Sequence, residues 1–374
     1  MKKALLVFSR TLIGLVFVFS GFVKCVDPLG TAYKFEDYFI AFGWNGLLPM
    51  TLAFSLILCG AELLIGLMLL FNVATRIASL LGLIFYAIFL PLTLYLAISN
   101  PVSDCGCFGD ALIMTNWETF LKNLVLTPLA VIVFLKRKSF REWIGPLGES
   151  IAVLIVAGGI GFFEYSNLAN LPIIDFRPYQ IGTNIPESMK IPEGAQVDEY
   201  DMVFIYQKDG KKQEFRDLNN LPGEPWEWVD TRTTLTTKGY EPPIHDFSIV
   251  TQDGFDITED VLHAPNPVFL VISYDLLKAN TGTVQQMDDI SLFAMERGAE
   301  FIVLTSSLSS QIAEFKERND LNWTFCTTDQ TTLKTIIRSN PGLMLIKNGI
   351  ILNKWHHRHL PDLDELKSDV PNIR

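Results

Sequence analysis

Five apolar stretches, at residues 4–23, 48–71, 75–98, 118–135 and 146–164, dominate the first 164 residues of the chain. Each is close to the roughly 20 residues that a helix needs to cross the hydrocarbon of a bilayer. Their succession predicts five transmembrane helices. Charge divides the chain at the same place: 11 of the 30 Lys and Arg, but only 10 of the 41 Asp and Glu, precede residue 165. The net charge of −11 therefore sits in the C-terminal part of the chain. A nearly neutral membrane block precedes an acidic, water-soluble one, which argues against nucleic acid as a partner.

Basic residues orient the spans. Lys2 and Lys3 precede the first, Arg76 lies in the turn between the second and third, and Lys136, Arg137, Lys138 and Arg141 follow the fourth. The positive-inside rule places all of these in the cytoplasm. The N-terminus is then cytoplasmic and the loops 24–47 and 99–117 are extracytoplasmic. An odd number of spans puts everything after residue 164 outside as well. The expected setting is a bacterial inner membrane with a periplasmic C-terminal region, membrane lipid being one partner and an extracytoplasmic protein another. The first run also fits the basic start of a cleaved signal peptide, but its length, and Lys24 just before Cys25, favour a retained span.

The second outward loop contains SDCGCFGD, Ser103 to Asp110. Cys105 and Cys107 are separated only by Gly106, which can take a positive φ without steric cost. A tight turn would bring the thiols together, and a ring so small implies a strained, labile disulfide. The pair is the candidate redox site, flanked by Asp104, Phe108, Gly109 and Asp110. TNWETFLKN then reads as a helix start: Thr115 or Asn116 can cap it, and Glu118 suits the positive end of its dipole. A helix N-terminus beside the thiols would lower a thiol pKa. Lys122 and Asn123, one to two turns deeper, either line the same cavity or serve as an interfacial lysine and a helix–helix hydrogen bond. Cys25, at the outer end of the first span, is a candidate to resolve a mixed disulfide. Cys59 reads as a small buried apolar residue.

Arg10 and Glu62 lie inside spans, where ionisable side chains need partners. Counted from the outer ends of their apolar runs at roughly 1.5 Å per residue, both sit roughly 20 Å deep. An Arg10–Glu62 ion pair between antiparallel helices is therefore expected, as a structural lock.

GLVFVFSGFVKCVDPLG in the first span, the Glu62 helix, and DCGCFGD before the fourth span together resemble the DoxX/MauE group of redox-associated bacterial membrane proteins. The resemblance covers roughly the first 140 residues. It implies a four-helix membrane bundle tied to periplasmic thiol chemistry, sulfur oxidation with quinone, and disulfide maturation. It carries over to Cys105 and Cys107 as outer-loop thiols and to Arg10, Lys24 and Glu62 as framework positions. The fifth helix departs from that core and reads as a tether.

Residues 165–243 are rich in Pro, Gly and charge, with MVFIYQKDGKKQEF reading as a hairpin around Asp209 and Gly210. They form either a small β module or an ordered linker. From residue 244 strands alternate with helices, which implies a partly parallel α/β sheet. The order of elements resembles the thioredoxin-like fold, with Pro341 at its cis-proline position. Where thioredoxins carry CxxC, this chain has YDLLKANTG, without cysteine. Cys326 reads as core. HHRH, with His356, His357 and His359, reads as a solvated polar end rather than a metal site, because structural zinc normally takes four ligands.

The expected architecture is an α-helical membrane bundle, DoxX-like with four core helices (1–145) and a fifth tether helix (146–164). A β-rich module or linker (165–243) and a thioredoxin-like α/β domain without CxxC (244–374) complete the chain. The expected function is extracytoplasmic thiol–disulfide redox through Cys105 and Cys107. No motif demands a cofactor, a bundle-bound quinone being the candidate acceptor, and no metal is expected. The alternative is a non-enzymatic envelope scaffold whose thioredoxin-like domain docks a partner protein.

Overall fold

The computed structural model describes residues 3–140, 144–217, 221–237 and 239–369. Lys2 and Arg141, two of the basic residues used to orient the spans, lie outside these ranges. The first six helices are α1 (Lys3–Val26), α2 (Pro28–Ala41), α3 (Thr51–Phe71), α4 (Thr75–Ser99), α5 (Asn116–Leu135) and α6 (Pro146–Ala169). All but α2 are long and apolar enough to cross a membrane, α3 together with the 3-10 turn Asn45–Met50 that precedes it.

The stretch 24–47, expected as a loop, is thus largely helical. Asp27 caps α2 by accepting from Gly30 N at 3.0 Å, and Pro28 occupies the first helical position. The mixed polarity of YKFEDYF hides this helix from any search for apolar runs.

Glycine sets how α1 and α3 meet. A Cβ on Gly21 would stand 2.3 Å from Leu63 N, and one on Gly66 would stand 2.5 Å from Val18 N. Such close backbone approach is typical of small residues at membrane helix contacts. The resulting register corrects the expected Arg10–Glu62 ion pair, which does not form. Glu62 is level with Ser20 and Lys24, and Lys24 Nζ pairs with it at 2.5 Å, both side chains buried. Arg10 lies towards the other end of α1, its guanidinium 5.3 Å over the Phe140 ring, with Nε and Nη1 unpartnered. Counting depth from the outer ends of apolar runs fails because α3 extends well beyond the end of α1. Its outer part is clad by α2, with Ser55 Oγ donating to Pro28 O at 2.6 Å.

After α6 come the short α7 (Ile185–Ser188) and a three-stranded antiparallel sheet of β1 (Glu199–Lys208), β2 (Lys211–Phe215) and β3 (Glu227–Thr237), in the order β2-β1-β3. The hairpin turns at Asp209 and Gly210, whose φ values of 50° and 75° suit a two-residue hairpin turn.

The second sheet contains β4 (Val250–Thr251), then α8 (Thr258–Leu262), β5 (Val268–Ser273), α9 (Val284–Glu296), β6 (Glu300–Thr305), α10 (Ser309–Asn319) and β7 (Thr324–Thr327). It closes with α11 (Gln330–Ile336), β8 (Gly342–Lys347), β9 (Ile350–His356) and α12 (Leu363–Asp369). The strand order is β4-β7-β6-β5-β8-β9, with β5, β6 and β7 parallel and β8 and β9 antiparallel. Every residue of β5 is buried. Val268, Leu270 and Ile272 point into one core, while Phe269 and Val271 point into the other. This is a thioredoxin-like α/β domain, with Asn340–Pro341 cis before β8 and Cys326 buried in β7.

The domain begins earlier than residue 244. Tyr179 and Ile185 enter its core, Ile185 N donates to Gly349 O at 2.8 Å, and Ile351 N donates to Thr183 O at 2.9 Å. The three-stranded sheet is therefore an excursion from the α/β body. HHRH also differs from its expected solvated state. His356 is buried and lies tilted against His357 with ring centroids 4.2 Å apart, and burial pushes the His356 ring down to about 4, while Arg358 and His359 stay exposed.

Candidate functional site

The SDCGCFGD loop joins α4 to α5 and lies at the end of the bundle that carries the α/β domain. Gly106 has φ +64°, and Asp104 Oδ1 accepts from Gly106 N at 2.8 Å, which closes the turn. A residue with a Cβ at 106 would combine that strained φ with a 3.1 Å approach to Lys34 Cγ. Lys34 holds the other Asp104 oxygen at 2.7 Å, and Tyr38 of α2 donates to Cys105 O at 2.9 Å. The overlooked α2 is thus the wall against which the loop folds.

The turn brings the Cys105 and Cys107 sulfurs to 2.7 Å, both as free thiols. Behind them α5 starts with a capping box between Thr115 and Glu118, and Asn116 Nδ2 ties the loop to Val102 O at 2.8 Å. One turn in, Thr119 Oγ1 lies 3.4 Å from Cys105 Sγ. The thiols split in acidity. The hydrogen bond to Cys107 outweighs burial and, with Thr119 and the Lys122 ammonium, brings Cys105 down to about 6. The same hydrogen bond and burial push Cys107 up. Of the two, Cys105 is the more acidic and the better placed to lose its proton first.

Beneath Cys107 the bundle encloses a pocket of about 50 Å³, lined by Ser20, Glu62, Tyr86, Cys107, Lys122 and Asn123 with an aromatic wall of Phe17, Phe85 and Phe89. Ser20 Oγ stands 2.7 Å from both Glu62 Oε2 and Cys107 O, which links the loop to the buried Lys24–Glu62 pair. Lys122 Nζ lies 4.1 Å from the centroid of the buried Phe108 ring, and Asn123 Nδ2 donates to Thr93 at 3.3 Å. A space of about 50 Å³ suits water rather than a ring-sized acceptor. The quinone considered from the sequence does not fit within that pocket.

Cys25 is turned elsewhere. Its thiol, fully buried, donates to Glu164 Oε1 of α6 at 3.3 Å, which gives no support to a resolving role toward Cys105 and Cys107.

Sequence reasoning missed the other half of the site, because it comes from the α/β domain. Arg338, 5% exposed, grips Asp27 through Nε at 2.9 Å and Nη2 at 2.8 Å, and reaches Asp110 of the cysteine loop at 3.3 Å. Burial pushes the Asp27 carboxyl up, but Arg338 and Arg177 outweigh it and hold the group below the usual range. Lys334 pairs with Glu36 of α2 at 3.1 Å and lies 4.5 Å from the centroid of the Tyr33 ring, which meets Tyr274 edge-on. Tyr274 and the cis-proline loop border the place where thioredoxins carry their cysteines. In this chain that face is packed on its own membrane bundle. Among the described residues no group of three or more His, Cys, Asp or Glu is placed to hold a metal.

Residues 2–136 match the family described as Methylamine utilisation protein MauE. The matched stretch spans α1 to α5 and includes both thiols; the DoxX side of the resemblance rests on the residues alone. Residues 200–238 match a family described as Domain of unknown function (DUF8463). No curated protein sequence matches the chain. Among solved structures the chain is similar to peroxidoxin BcpB from Mycobacterium tuberculosis, with 16% identity and a TM-score of 0.27, over 35% of this chain and 93% of that one. It is also similar to BsSco, a member of the Sco family of cytochrome c oxidase assembly proteins, with 16% identity and a TM-score of 0.29, over 35% and 92%.

Proposed function

We propose that this membrane protein carries out thiol–disulfide exchange through Cys105 and Cys107. The observation that carries the reading is the pair itself: two free thiols 2.7 Å apart, one held down at about 6 and the other pushed up. That split assigns the roles. The Cys105 thiolate attacks a substrate disulfide, forming a mixed disulfide and expelling one substrate thiolate. Cys107 then gives up its proton and attacks Cys105 Sγ, which releases the second thiolate and closes Cys105–Cys107. Two electrons and the Cys107 proton pass to the substrate, whose second thiolate is protonated from solvent; the reverse sequence oxidises a substrate dithiol. Ser20, Glu62 and Lys122, around the pocket below Cys107, are placed to exchange its proton. We place the pair in the periplasm of a bacterial inner membrane, N-terminus inside, because Arg76, Lys136, Arg137 and Lys138 gather at the opposite end of the bundle.

The α/β domain acts in this reading as a cover that holds the loop in place, since its own thioredoxin-type site lacks cysteine. A scaffold role has one observation in its favour: the domain binds an α2 surface through Arg338 and Lys334, as a docking module would. Alkylation trapping of Cys105 and Cys107 in membranes across a dithiothreitol series separates the two. Exchange predicts a potential near about −120 to −200 mV, and one below about −300 mV marks a structural staple. Full function retained by Cys105→Ser would end the exchange reading.

A further inference from the structure

One cluster of reactive groups has no part in that chemistry. Glu164 of α6 is buried, and among the described residues no basic side chain pairs with it. Its side-chain partner is the Cys25 thiol at 3.3 Å. A carboxyl within a membrane span is costly and calls for a specific partner. The rest of α6 holds it in place. Ile160, Glu164 and Asn167 are buried in the C-terminal half of α6, and Asn167 Nδ2 donates to Cys25 O at 3.2 Å, which fixes α6 against the last turn of α1.

Opposite Cys25 stands a second thiol. The register of α1 and α3 is pinned where Gly21 meets Leu63. One helical turn outward from that crossing, on both helices, are Cys25 and Cys59. The two are fully buried and share one cluster with Leu63 and Ile160. Cys59 Sγ also lies 3.7 Å from Ser55 Oγ. The glycine contact keeps the helix backbones close, as a disulfide between opposed cysteines requires.

We infer that Cys25, Cys59 and Glu164 form a second redox site, at which the two thiols close to a disulfide joining α1 to α3. The oxidant is a disulfide of another thiol carrier. Cys59 attacks it as its S–H bond breaks, so that one carrier sulfur leaves and takes up that proton while the other stays bound to Cys59. Cys25 passes its proton to Glu164 and attacks Cys59 Sγ; the second carrier thiolate leaves and takes that proton. Two S–H bonds break, one S–S bond forms, and two electrons reduce the carrier disulfide to two thiols. This chemistry is independent of the activity assigned to Cys105 and Cys107.

The test uses the full chain in native membranes, with Cys105→Ser and Cys107→Ser present so that only the inner thiols report. Membranes are treated with dithiodipyridine, a lipid-permeant disulfide, and peptides are mapped by mass spectrometry. The expected result is a Cys25–Cys59 linked peptide, with two pyridinethiones released per chain, reopened by dithiothreitol. Glu164→Gln should slow closure on the order of a hundredfold, the scale of a lost general base, and Glu164→Asp should restore part of the rate. In the chain that retains Cys105 and Cys107, the oxidation rate of that pair reports that Glu164→Gln has left the bundle folded. Separate pyridyl adducts on Cys25 and Cys59 without a linkage, or no reaction at all, overturn the second site. A linkage that forms equally fast in Glu164→Gln overturns the role of the carboxyl.

Discussion

At the scale of single residues, the proposed exchange turns on the unequal acidity of two chemically identical thiols. Cys105 and Cys107 differ in what they face: Thr119 at the start of α5 lies beside Cys105, while Cys107 closes the roof of the pocket. The iodoacetamide alkylation rate of Cys105 should therefore rise with a midpoint near about 6 and be flat above neutrality. An unperturbed thiol would still be gaining rate near about pH 8.5. Thr119→Ala should move the midpoint upward; a wild-type rate that climbs steeply between pH 8 and 9 would refute the assigned thiolate. The pair was open to sequence reasoning because type, spacing and glycine lie within three positions. Arg338 was not, because its partner Asp27 lies 311 positions away and nothing local marks an arginine as an ion-pair donor to a membrane helix.

At the scale of elements, the α1–α3 contact organises the bundle, and its glycines are its sequence signature. Gly66→Val would place a Cβ 2.5 Å from Val18 N and drive the helices apart, at a cost of about 1–3 kcal/mol or more. Thermal unfolding in detergent should show the loss, whereas Gly158→Val on α6, which meets nothing within 4 Å, should be close to neutral. Equal melting temperatures for the two variants would mean that the contact does not set stability. The five spans were legible because each is a continuous apolar run. Helix α2 was not, being short and mixed in polarity, although Asp27–Pro28 is a start signal. The Lys24–Glu62 pairing was hidden for a different reason: depth within a span depends on which neighbours extend it.

At the scale of the whole molecule, the α/β domain and the membrane bundle meet through buried charge. Arg338→Ala would leave the half-buried Asp27 without its main partner, an imbalance of up to about 3 kcal/mol. The expected outcome is a domain that comes away from the bundle: faster proteolysis between residues 170 and 178 and faster alkylation of Cys105, with the α/β domain still folded. Unchanged cleavage and alkylation would show that other contacts suffice to hold the two parts together. The thioredoxin-like order of strands and helices was readable from alternating patterns, and Pro341 from its place before a hairpin. That this domain would fold back over the chain's own dithiol was not, because such docking depends on surfaces rather than on periodicity.

The three-stranded sheet has a consequence for how such a chain can be assembled. The polypeptide leaves the α/β body near residue 196 and returns near 240, and Tyr240 N donates to Gln196 O at 2.7 Å, so the two ends of the excursion touch. A segment whose ends meet behaves as a cassette: it can be gained, exchanged or cut out without moving the strands on either side. The stretch that matches a family of its own, residues 200–238, falls inside those ends. Membrane bundle, α/β body and cassette are three distinct parts of the fold, and only the first of them carries the Cys105–Cys107 dithiol.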